Sequence, residues 1–269
     1  MRLALLGLSL LVFGCGGGGD GDSQQPTTSI PDVVQPTIWM PGVESPLSDV
    51  NQAKSALITA YHSINISMQL NEKVFSSLNG LNSDNGVPAT TTTTTCPGQG
   101  TVTITMSQSL LISKSAIRFG QCGESDVIMN GNLSGERNVN GSGEYQTKAS
   151  FTSPTSDEKI YANSRLIKHE KPTFFINGVT DELSFDMTTA GISASDGINT
   201  GGNAIVKTTS PLQFVDALTT SPVGGEITIT NSTNRTWLVK VVQNGFDIYD
   251  SENSTVVPVD FLSWYSLAK

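Results

Sequence analysis

With 269 residues, the chain can build one large domain or two modest ones, and it has ample apolar material for a core. Only 14% of its residues are charged, while Gly, Ser, Thr and Asn are plentiful, which favours β structure over a helical bundle. A formal charge of −9 and the lack of any basic run exclude sequence-independent nucleic-acid binding and adhesion to anionic lipid through a basic face.

The chain opens with MRLALLGLSLLVFG, in which Arg2 precedes an apolar run from Leu3 to Phe13. That run is too short to span a bilayer and fits the apolar region of a signal peptide, so residues 1–14 are expected to be one. It closes in Val12-Phe13-Gly14-Cys15, which resembles the lipobox of bacterial lipoproteins, with Phe13 standing where small or β-branched residues are usual. The resemblance implies that Cys15 is lipidated and becomes the mature amino terminus, anchored in the bilayer by its acyl chains. It also implies the outer membrane, because Gly16 is not the Asp that retains enterobacterial lipoproteins at the inner one. Residues 15–46 are rich in Gly, Pro, Ser and Asp with no apolar period, so they read as a lipidated flexible linker. Ile38-Trp39-Met40 is its one apolar exception; Asp20 and Asp22 on such a tether do not make a metal loop.

The expected folded domain covers 47–269, with its helical part at 48–80. Val50, Ala53, Leu57, Tyr61, Ile64 and Met68 recur at three- and four-residue intervals and mark one helical face. Ser48 is the expected N-cap and Asp49 falls in the first turn; Val74, Phe75 and Leu78 form a second amphipathic piece. His62 lies off the apolar stripe and reads as a surface histidine. Residues 82–95, ending in six threonines, read as a low-complexity loop between the helical layer and a β part at 96–269.

Within that β part, apolar residues alternate with polar ones. Val102, Ile104 and Met106 begin the series, followed by Ala116 to Phe119 and Ile128-Met129. Tyr145 to Phe151, Lys159 to Lys168, Thr173 to Val179 and Leu183 to Met187 come next. Later candidates are Ala204 to Thr208, Leu212 to Val215, Glu226 to Thr230, Trp237 to Val242, Phe246 to Tyr249 and Val256 to Leu262. Turn signals separate them, among them Asn130-Gly131, Asn140-Gly141, Gly224-Gly225 and Asn244-Gly245. The expected fold is α+β, mainly antiparallel β, with one long N-terminal helix packed on a large curved meander sheet.

Beyond a signal peptide, Cys96 and Cys122 would meet an oxidising compartment, and with Cys15 lipidated only one pairing is left. The spacing is not C-x-x-C and further zinc ligands are missing nearby, so a structural disulfide is the expected role. These cysteines, with Gly100-Thr-Val-Thr-Ile-Thr, Arg118-Phe119-Gly120 and Asn130-Gly131, resemble uncharacterised β-rich lipoproteins of proteobacteria. The resemblance implies compartment and architecture without a reaction.

No G-x-S-x-G, P-loop, dinucleotide fingerprint or H-E-x-x-H motif occurs. His169 ends a charged strand, and Asp157-Glu158 and Asp181-Glu182 are adjacent acids of the kind that keep a turn in water. Asp247, Asp250 and Glu252 are a weak calcium candidate, because their spacing is not that of a calcium loop and Ile248 and Tyr249 read as strand. No cofactor is expected. The leading expectation is a non-enzymatic outer-membrane lipoprotein that binds a partner or a hydrophobic ligand on the concave face of its sheet, facing either the periplasm or the exterior. An extracytoplasmic hydrolase of polysaccharide or ester, and a purely structural envelope module, are the alternatives. An apolar trough under the helix would favour ligand carriage; a cleft converging His169 or two carboxylates would favour catalysis.

Overall fold

The computed structural model describes residues 49–78, 86–123, 128–153, 158–170, 179, 181–192, 203–215, 221–231, 234–252 and 257–267. The expected signal peptide, Cys15, the linker with Trp39, Asp157 and most of the strand proposed at 173–179 lie outside those residues. A single helix, α1 (Val50–Leu78), precedes strands β1 (Val87–Thr95), β2 (Gln99–Gln108), β3 (Ile112–Gly123), β4 (Ile128–Asn138), β5 (Gly143–Ser153) and β6 (Glu158–Glu170). Strands β7 (Asp181–Ile192), β8 (Asn203–Phe214), β9 (Gly224–Asn231), β10 (Thr236–Val242), β11 (Gly245–Asp250) and β12 (Asp260–Ser263) follow, then a last helical turn, α2 (Trp264–Leu267).

Among the described residues, the twelve strands lie side by side in sequence order and each neighbouring pair is antiparallel, the order of a meander. The sheet is open, with β1 at one edge and β12 at the other. The fold is therefore α+β and mainly β, with the long helix laid on one face.

The helix is continuous, so its two amphipathic pieces are one element. The Asp49 carboxylate caps it, accepting the Gln52 N–H at 3.0 Å and satisfying one of the donors a helix start leaves free; Ser48, the expected cap, lies outside the described residues. Ala53, Leu57, Ile64 and Met68 are buried on the expected stripe, while Val50 and Tyr61 are half-buried. Two further stripes are buried beside it. One is apolar, with Val74 buried and Ile66 and Leu70 packed against a cluster on β2 to β5. The other is polar and repeats every four residues: Ser55, Thr59, Ser63, Ser67 and Asn71 are all buried. Two of its members close on their own helix, with the Ser63 hydroxyl donating to the Thr59 carbonyl and the Asn71 amide to the Ser67 carbonyl, both at 2.8 Å.

Strand alternation divides the sheet into an inner face under the helix and an outer face free of it. Inward point Ile117, Phe119, Leu133, Tyr145, Phe151, Leu166, Phe185, Met187, Val206, Ile229, Trp237, Val239, Phe246 and Ile248, all buried. The outer face carries the charges, which pair across strands in Lys114–Glu136, Arg165–Glu144, Lys207–Asp186 and Lys240–Glu226. Such a surface belongs in water rather than against hydrocarbon. Among the described residues, no helix is long and apolar enough to cross a membrane.

Four local readings are corrected. The threonine tract is not a loop but part of strand β1, because β-branched threonine suits a pleated ladder and the pairing with β2 runs unbroken from Thr90 to Thr95. Asn130-Gly131 is not a turn: both lie inside β4, where Gly131 has φ 129°. A Cβ there would sit 2.3 Å from the Lys148 carbonyl oxygen, so the pattern marks a close strand approach. The candidates Ala204 to Thr208 and Leu212 to Val215 are one strand, β8, whose register shifts around Ser210 absorb Pro211. Thr208 bridges the irregular stretch facing β7, its hydroxyl accepting the Phe185 N–H at 3.0 Å. Finally, the last candidate, Val256 to Leu262, is strand only from Asp260, with Pro258 lying ahead of it; Val256 is outside the described residues.

Candidate functional site

Ionic contacts tie helix to sheet at two places: Lys54 of α1 meets Asp260 of β12 at 3.0 Å, and a cluster around Glu72 holds the strands that carry the cleft. Glu72 on α1 accepts the Tyr145 hydroxyl at 2.6 Å and the Arg137 guanidinium at 2.5 Å. Arg137 also lies over the Phe75 ring, 5.0 Å from its centroid. Ser115 donates to the Asn71 side-chain oxygen at 2.7 Å. Burial, then the hydrogen bond and charge of Glu72, push the Tyr145 phenol far above its ordinary pKa, so it stays a hydrogen-bond donor at any physiological pH. Lys168 reaches Asp181 at 3.3 Å, giving that buried carboxylate a cation.

These inward contacts fix the backbone of β3 to β6, and their outward-facing neighbours form a cleft of about 520 Å³. Lys114, Glu136, Glu144, Gln146 and His169 line it, and Asn138, Asn140 and Ser142 of the β4–β5 hairpin close its end. Glu136 and Glu144 stand directly opposite each other across β4 and β5. Like charges in that position repel unless neutralised. Here Lys114 meets Glu136 at 2.8 Å, and Arg165 grips both oxygens of Glu144 at 2.8 and 3.0 Å. Both carboxylates are thus ion-paired acceptors, an arrangement suited to orienting a polar ligand.

Beside the cleft, two hairpin tips carry exposed aliphatic side chains where turns ordinarily place Gly, Asn or Asp. Leu110 and Leu111 join β2 to β3 and are 73% and 66% exposed; Val139, in the next tip, is 73% exposed. The Val139 N–H donates to the Leu111 carbonyl at 3.0 Å, so the two tips form one surface. Within the first tip the Ser109 hydroxyl accepts the Ile112 N–H at 3.1 Å, which holds the leucines in place.

His169 does reach the cleft, exposed at the end of β6 opposite Glu182. Asp181 and Glu182, as neighbours on a strand, point to opposite faces and make no joint site. Glu158 begins β6. Of Asp247, Asp250 and Glu252, the last two come together on a cation of the protein itself, Arg235 meeting buried Asp250 at 2.6 Å and Glu252 at 3.7 Å, while Asp247, three positions from Asp250, faces outward. Among the described residues no group of three or more His, Cys, Asp or Glu is arranged to hold a metal. His62 is half-buried rather than on the surface, and burial holds its pKa below the ordinary value. Sequence reading missed Glu72, Arg137, Glu136 and Glu144; charged residues at alternate strand positions carried no signal until the register aligned them.

Cys96 and Cys122 form a disulfide with their Cα atoms 5.4 Å apart. It joins the end of β1 to the far end of β3 and lies in the buried cluster of β2 to β5.

Fold and cleft define a class: a helix-on-meander α+β domain with a solvent-facing polar cleft and apolar hairpin tips. No family model, curated protein or solved structure matches the chain.

Proposed function

We propose that the protein is a non-enzymatic lipoprotein, anchored in the outer membrane through Cys15, whose sheet domain binds another envelope protein. The observation that carries the binding half is the joined tip surface, Leu110, Leu111 and Val139, at the mouth of the polar cleft. An apolar centre next to paired charges and amides has the anatomy of a protein-docking patch. The Cys96–Cys122 bridge supports an oxidising compartment, and the lipobox-like Val12 to Cys15 supports the anchor. A hydrophobic ligand under the helix is less well supported, because the helix packs directly on the inner-face core.

The anchor is tested by mass spectrometry of the amino-terminal peptide and by membrane fractionation of Cys15→Ala, which should become soluble. An unmodified Cys15 overturns it. Docking is tested separately by photo-crosslinking in intact cells from positions 111, 139 and, as a control at the opposite end of the sheet, 257. A discrete adduct from 111 and 139 that is lost in Glu136→Lys supports the reading; adducts independent of position refute it.

A hydrolase is the second reading, favoured by one observation: His169 shares the cleft with Glu136 and Glu144. Turnover of a polysaccharide or ester panel that is lost in His169→Ala would install it in place of the first.

A further inference from the structure

The two edges of the sheet are unlike. At one edge β12 is four residues long and runs directly into α2, so little backbone is offered to another chain. At the other edge β1 is nine residues long, uncharged, and after Pro88 reads Ala89 followed by six threonines. Edge strands are ordinarily protected by charge, proline, bulges or brevity. From Thr90 to Thr95, β1 has none of these: its proline and its register shift both lie between Val87 and Thr90. Among the described residues it pairs on one side only, with β2.

The pairing chemistry of that strand is already visible along its border with β2. Thr91 and Thr93 are exposed, stand opposite Thr105 and Thr103, and bond hydroxyl to hydroxyl at 3.0 and 2.9 Å. A threonine is both donor and acceptor, so a threonine strand complements a copy of itself. A twofold contact demands this kind of self-complementarity, with the same patch contributed by both molecules.

We propose that β1 is a self-association edge: two copies of the chain pair their β1 strands antiparallel about a twofold axis. The join continues the Thr–Thr hydrogen-bonded columns and merges two twelve-stranded sheets into one. Every second residue of β1 then directs its free N–H and C=O to the partner copy. A lone strand edge covers less than a standard interface, so the dimer is concentration-dependent. The paired edge lies next to the β2–β3 tip, so dimerisation presents two copies of the Leu110 and Leu111 surface on one particle.

Sedimentation equilibrium of the full-length protein, followed to high concentration, tests this. The wild type should reach twice the monomer mass. Thr91→Lys with Thr93→Lys puts like charges across the axis on exposed side chains and should weaken association by about a hundredfold. Thr91→Glu with Thr93→Glu should do the same, and an equimolar mixture of the two variants should dimerise again. Recovery in the mixture separates a lost contact from a damaged fold. A wild type that stays monomeric, because another segment or another protein occupies the edge, overturns the proposal. So does a dimer that survives the lysine pair.

Discussion

The β2–β5 region and the β7–β12 region lie in one sheet under one helix, yet they are held by different forces. The first has a small apolar cluster, including Val102, Phe119, Leu133 and Phe151, with only Val74 of the helix buried in it. It compensates with a disulfide and with the Glu72, Arg137 and Tyr145 cluster. The second has neither, but packs the helix stripe on Phe214, Trp237, Val239, Phe246 and Ile248, with Trp264 of α2 set edge-on against Phe246 at 4.6 Å. The apolar-rich region adds ion pairs to its burial, Lys54 of α1 with Asp260 at 3.0 Å and Arg235 with buried Asp250 at 2.6 Å, whereas the apolar-poor region adds a covalent bridge as well. The cleft and apolar tips stand on the region closed by specific contacts.

The comparison breaks most sharply at Phe246, which is fully buried and touches both Tyr61 and Trp264. Phe246→Ala should cost about 3–5 kcal/mol by chemical denaturation, because the ring leaves a cavity between sheet and helices. Removing the bridge, as Cys96→Ser with Cys122→Ser, should cost about 3 kcal/mol by the chain-entropy account. Hydrogen exchange should localise that loss, with amides of β2 and β3 exchanging faster while those of β10 and β11 keep their relative protection.

Glu72→Leu should cost about 1–3 kcal/mol, since it strands the Tyr145 hydroxyl and the half-buried Arg137 without their acceptor. A smaller effect is expected from His62. Its folded pKa lies below the unfolded value of about 6.5, so the unfolded chain binds a proton more readily. Stability is unaffected by this group above the unfolded pKa and falls as pH drops from there through the lower folded pKa; His62→Gln should flatten that part of a melting-temperature profile. Smallest of all, Lys114→Ala on the exposed outer face should change stability by less than about 1 kcal/mol. A large loss there would mean that the outer ion pairs, and not the contacts beneath the sheet, hold the cleft strands.

Much of this architecture was legible in the residues themselves. Alternation at Tyr145, Thr147, Ala149 and Phe151 set β5 and its inward face, all four being buried. The spacing from Ala53 to Met68 set the main helix stripe, and the one cysteine pair set the bridge. Period and covalent chemistry are local properties, and a sequence carries them openly. Low complexity hid β1, because six identical polar residues show no alternation even where β-branching favours a strand. The buried polar stripe of α1 and the Glu72, Arg137 and Tyr145 cluster were equally hidden: Ser63 is satisfied by a carbonyl of its own helix, and the partners that Asn71 and Glu72 find, Ser115, Arg137 and Tyr145, lie on distant strands. Glu136 and Glu144 became a pair when the register of β4 on β5 set them opposite each other, and Leu111 and Val139 became one surface when two hairpins met. What single residues prefer could be read along the chain, whereas which residues face one another was settled only when the strands found their register.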